Sequence, residues 1–99
     1  MMKNKVLNLI GLAYRANFII SGEESVIKAL QQNRLKIVFI ASDASPKTVD
    51  KFVRKCYYYK VVYILDFSSE ELSSAIGRTR KIIGLTDLGF ANAIERLMR

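Results

Sequence analysis

An α/β protein is predicted: a three-layer α/β/α sandwich around a central, four-stranded, mixed sheet. Three observations on the 99-residue chain lead there. Segments with apolar residues at helical spacing alternate with short β-branched and aromatic runs, in the order α-β-α-β-α-β-α-β-α. One run, Ile37-Val38-Phe39-Ile40-Ala41, is apolar at every position, the pattern of a strand covered on both faces. The connections are short, without repeats, low-complexity tracts or linkers, so one domain spanning residues 1–99 is expected.

Each segment has its own local reason. Val6, Leu9, Ile10 and Ala13 recur at helical spacing and predict an amphipathic helix over about residues 3 to 15. Phe18 to Ile20 is a short strand, followed by a helix from Glu23 to about Gln32 with Val26, Ala29 and Leu30 inward. Asn33 and Arg34 break that pattern ahead of the strand from Ile37 to Ala41. After the loop Ser42-Asp43-Ala44, Ser45 caps a third helix with Pro46 at its first position, where the missing N–H costs nothing. Its inward stripe is Val49, Phe52, Val53 and Cys56, and the three tyrosines Tyr57-Tyr58-Tyr59 at its end could stack on bases but are expected to close over an edge of the core. Val61 to Leu65 is the third strand. Ser68-Ser69-Glu70-Glu71 opens a capped helix, with Leu72, Ala75 and Ile76 inward and Gly77 ending it. Ile82 to Thr86 is the fourth strand, and Thr86 or Asp87 caps a final helix burying Ala91, Ile94 and Leu97.

Composition excludes most chemistry. The chain has no histidine and a single cysteine, Cys56, so neither an internal disulfide nor a cysteine-built zinc site is possible. Phosphate-loop, dinucleotide-binding, Cys-x-x-Cys and serine-elbow motifs are absent. The carboxylates are scattered, and Glu24, Glu71 and Asp87 look like helix caps. A non-enzymatic protein without metal or cofactor is expected. No apolar run reaches membrane-spanning length and the N-terminus lacks a signal-peptide core, so the expected location is the cytoplasm, with no membrane partner. The net charge of +7 and a pI near 9.8 point to an anionic partner, nucleic acid above all. The bases cluster, at Lys47, Lys51, Arg54, Lys55 and Lys60 and again at Arg78, Arg80 and Lys81.

The stretch Ser21-Gly22-Glu23-Glu24-Ser25-Val26-Ile27-Lys28 admits two readings. A strand that turns through a glycine into a helix exposes unpaired N–H groups and a positive dipole end, suited to a phosphate, with Lys28 reaching towards the same site. Alternatively, Ser21-x-x-Glu24 is a capping box, in which Ser21 caps the helix and Glu24 reaches back to the Ser21 amide.

Nearly the full length of the chain resembles the kink-turn RNA-binding family of ribosomal proteins, the L7Ae/L30e family, and within it the small bacterial members. The landmarks are Ser21-Gly22 with Lys28 six residues after the glycine, Ala41-Ser42-Asp43-Ala44-Ser45-Pro46, Cys56 followed by Val61 and Tyr63, Ile76-Gly77, and Thr86-Asp87-Leu88-Gly89-Phe90. The resemblance implies a monomeric, ribosome-associated protein that docks its second helix into the widened groove of a kink-turn, beside the sheared G·A pairs. It places RNA contacts at Ser21, Gly22, Glu23, Glu24, Ser25 and Lys28, and in the loop Arg78-Thr79-Arg80. The family pattern at the helix is Gly-x-Asn-Glu-x-x-Lys; Gly22 and Lys28 match it, while Glu24 stands in the asparagine position and Ser25 in the glutamate position. The loop departs too, with charge where many members carry apolar residues over a flipped-out nucleotide. A protein-interaction or substrate-docking module of the same fold is the alternative function.

Overall fold

The computed structural model describes residues 2–99. Its elements are α1 (Lys3–Arg15), β1 (Ile19–Ser21), α2 (Glu23–Gln31), β2 (Ile37–Ile40), α3 (Pro46–Tyr59), β3 (Val62–Ile64), α4 (Ser69–Ile76), β4 (Ile82–Leu85) and α5 (Leu88–Met98). The sheet has the order β1-β4-β2-β3; β4 runs antiparallel to both β1 and β2, and β2 and β3 are parallel. The sheet is thus mixed, with helices on both faces, as the alternation of segments predicts.

Alternation along the two central strands sorts the core into two layers. Ile37 and Phe39 of β2, with Ile83 and Leu85 of β4, pack against Val6 and Ile10 of α1, Leu72 and Ile76 of α4, and Ala91 and Ile94 of α5. Val38, Ile40 and Ile82 face the other way, against Val26, Ala29 and Leu30 of α2 and Phe52 and Cys56 of α3. Every residue of β2 and β4 is buried, which explains their unbroken apolar runs. Cys56 is fully buried, and desolvation pushes its thiol up to about 11, so it behaves as a core residue.

Local signals set most helix ends. The Ser45 Oγ accepts from the Thr48 N–H at 3.2 Å, Asp87 Oδ2 from the Phe90 N–H at 2.9 Å, and Ser68 with Glu71 forms both halves of a capping box. Gly77 ends α4 in the left-handed conformation.

The strands β2, β3 and β4 end a residue short of the expected bounds, β3 at both ends, and three further expectations need correction. β1 covers Ile19–Ser21, one residue later than predicted, because Gly22 N–H still bonds to the Ile82 carbonyl at 3.0 Å and extends the ladder. The capping box at Ser21 and Glu24 does not form: Ser21 belongs to the strand, Gly22 is the N-cap, and no side chain caps α2. The tyrosine run does not close over the core either; only Tyr59 packs against it, while Tyr57 and Tyr58 stand in solvent. Leu97, Val49 and Val53 are half-buried at the margins of the layers. Among the described residues, no helix is long and apolar enough to cross a membrane.

Candidate nucleic-acid interface

Antiparallel pairing of β1 with β4 builds the site. Ser21 lies opposite Ile83, so the end of the first strand meets the start of the fourth, and the basic loop before β4 arrives beside the N-terminus of α2. Gly22 makes the sharp strand-to-helix turn with φ 96° and ψ 150°, a conformation essentially reserved for glycine. No side-chain oxygen closes the turn that follows, so the first-turn N–H groups remain available to an anion, in the positive field of the helix terminus.

Arg80 is the residue that the loop contributes. Its Nε donates to Ser21 Oγ at 3.2 Å, and its Nη1 donates to the carbonyl of Thr79 at 2.8 Å. A methyl group built on Gly22 would come within 3.8 Å of that Nε, so the guanidinium lies directly over the turn. The loop itself is pinned from α4: Ser73 Oγ accepts from the Arg80 N–H at 2.9 Å and donates to the Arg80 carbonyl at 3.1 Å. Ser21, Gly22, Glu23, Glu24, Ser25 and Arg80 together line a shallow hollow of about 360 Å³.

The remaining candidates are placed around this hollow. Lys28 is exposed on the outer face of α2, one turn beyond Glu24 and therefore on the same side of the helix. Arg78 is not brought to the start of α2 as expected. It lines a separate hollow that runs along α4, with Ser69, Ser73, Gly77, Thr79 and Lys81, after the left-handed turn at Gly77. Thr79 is exposed and lines that same hollow, and its carbonyl accepts from Arg80 Nη1. Ser73 went unrecognised in the sequence; a serine in a helix interior carries no signal that its hydroxyl will hold a loop seven residues later.

The surface can therefore accept an anion at the α2 N-terminus, place a guanidinium over the same turn and present Lys28 on the adjoining helix face. Glu23 and Glu24 favour the helix dipole but bring negative charge to the rim.

The chain is 43% identical over 96 residues to the RNA-binding protein YlxQ of Enterococcus faecium, covering 97% of this chain and 93% of the relative. It is also 43% identical over 91 residues to RNA-binding protein YlxQ of Bacillus subtilis (strain 168), covering 91% of each. A solved structure of a protein with unknown function from Bacillus halodurans C superposes with a TM-score of 0.90 at 37% identity, covering 95% of this chain and 96% of that one. The family model for the ribosomal protein L7Ae/L30e/S12e/Gadd45 family matches residues 4–94, and the chain belongs to that family.

Proposed function

We propose that this protein is a non-catalytic, cytoplasmic RNA-binding protein that acts as a monomer, associates with ribosomes and recognises a kink-turn or a closely related structured RNA. The observation that carries the reading is the uncapped, glycine-turned N-terminus of α2 with Arg80 seated over it. Membership of a ribosomal protein family and relatives named as RNA-binding proteins support RNA as the ligand. In this reading α2 enters the widened groove beside the sheared G·A pairs. Lys28 donates to a guanine edge, and the first-turn N–H groups and Arg80 hold phosphate. Glu24 is acceptor-only when ionised, so it takes a base amino group or leaves the base unread.

A gel-shift titration against a kink-turn RNA, with a control RNA in which the G·A pairs are replaced by Watson–Crick pairs, tests the reading. Preference for the kinked RNA is the expected result. Equal affinity for a plain duplex, or a tight protein partner captured without RNA, would favour a docking module instead.

A further inference from the structure

The end of α3 and the neighbouring strand edge carry a second surface. Tyr57 and Tyr58 are 86% and 76% exposed. Tyr58 is nonetheless held, packing edge-on to Tyr59 at 4.9 Å and 89°, with Tyr59 partly buried against the core. On β3, Tyr63 and Val62 are exposed as well. Tyr63 pairs in register with Val38, whose side chain faces the α2/α3 layer, so Tyr63 lies on the α3 side of the sheet. Four of the five tyrosines of the chain thus fall within residues 57–63.

Charge accompanies the rings. Lys47, Lys51, Arg54 and Tyr58 follow one another at spacings of four, three and four, which places them on one stripe of α3, opposite Phe52 and Cys56. Residues 46–65 contain five bases against the single acid Asp50, a net +4 of the chain's +7. Asp50 pairs with Arg54 at 2.9 Å in full view of solvent, an interaction easily exchanged for a phosphate. β3 is the sheet edge opposite β1, three strand spacings or about 14 Å away from it across the sheet.

We propose that this face binds a single-stranded segment of RNA, with Tyr57, Tyr58 and Tyr63 as stacking platforms and Lys47, Lys51, Arg54 and Lys60 as phosphate contacts. It goes beyond the kink-turn reading and uses none of the residues at α2. Rings interleaved with cations are the arrangement of sequence-tolerant single-strand binders. Lysine-rich surfaces are disfavoured at the centres of protein interfaces, and a second copy would bring like charge against like.

The test is a titration of the full chain with an unstructured oligouridylate of about 12 nucleotides, long enough for one single-strand site. With no tryptophan in the chain, tyrosine emission reports stacking directly. Quenching on binding is expected, and a Tyr57→Ala/Tyr58→Ala variant should lose about fivefold or more in affinity. The corresponding Phe/Phe variant should bind nearly as the parent does. Kink-turn binding should survive both, whereas Lys28→Ala should show the opposite split, so the two sites succeed or fail separately. The proposal is overturned if the parent does not bind the oligonucleotide, or if the Ala/Ala variant binds it equally well. It is overturned also if sedimentation shows that the Ala/Ala variant only abolishes self-association, which would make this face an interface between copies.

Discussion

Lys28 and Glu24 share one exposed face of α2, so their substitutions test what that face reads. Lys28→Ala should cost about 1–3 kcal/mol on a kink-turn RNA and much less on the control without G·A pairs, measured by binding titration. Glu24→Asn should tighten binding if the carboxylate only repels phosphate, and weaken it or shift base preference if it accepts from a base. Because Glu24 takes no part in a cap, the variant should melt close to the parent, apart from a small loss of dipole stabilisation. Gly22 is the backbone counterpart. A methyl group there makes only an ordinary contact with Arg80 Nε, at 3.8 Å, but the φ of 96° penalises it, so Gly22→Ala should lower stability by about 1–3 kcal/mol in urea unfolding and displace the α2 terminus beneath Arg80. Ser21-x-x-Glu24 misleads as a sequence pattern for one reason: the residue before a helix is a cap only if the preceding strand has ended, and here a distant partner strand keeps Ser21.

Helix α4 and its surroundings show how a loop is held in place to serve a surface. Asp43, in the loop after β2, accepts from both the N–H and the hydroxyl of Ser69 at 2.7 Å, and these bonds lower its carboxyl below the usual range. Glu71 is lowered first by the N–H of Ser68 and then by Lys3, 3.2 Å away. Both folded-state values lie below the unfolded ones, so the stabilisation is present above the ordinary carboxylate range and is lost as the pH falls through about 4 and below. Urea unfolding at pH 7, 5 and 3 should show that loss, and Asp43→Asn should flatten the acid limb. Ser68→Ala should cost about 0.5–2 kcal/mol at neutral pH. Caps such as Ser45, Ser68 and Asp87 are legible in sequence because their partners lie three residues away. The alternation that makes the layers is legible for the same reason. The pairing of β1 with β4, the reach of Arg80 to Ser21 and the exposure of Tyr57 and Tyr58 are not, since each depends on residues far along the chain.

Across the protein, one basic cluster lies on α3 beside the β3 edge and another in the loop before β4, and that loop is itself divided. Arg80 attends α2 and Arg78 sits over α4. Replacing both with alanine should weaken binding to any structured RNA and reduce the slope of log affinity against log salt by about 1 for each phosphate no longer neutralised. Arg80→Ala alone should in addition erode preference for the kinked RNA, because it frees Ser21. An unchanged slope would mark the cluster as a solvated face.

The strand at the centre of this sheet is the last one to be written. β4 hydrogen-bonds to β1 on one side and β2 on the other, yet it begins at Ile82. During synthesis from the N-terminus, β2 and β3 can pair with each other, but β1 must wait for it. A nascent chain that has reached Gly77 already carries four helices and three strands, but β1 has no neighbour and Arg80 does not yet exist to meet Ser21. Such a chain should be cut rapidly by a protease under conditions in which the 99-residue protein resists, and should not discriminate between kinked and plain RNA. The surface at the start of α2 is therefore complete only once the fourth strand and the loop before it have been made.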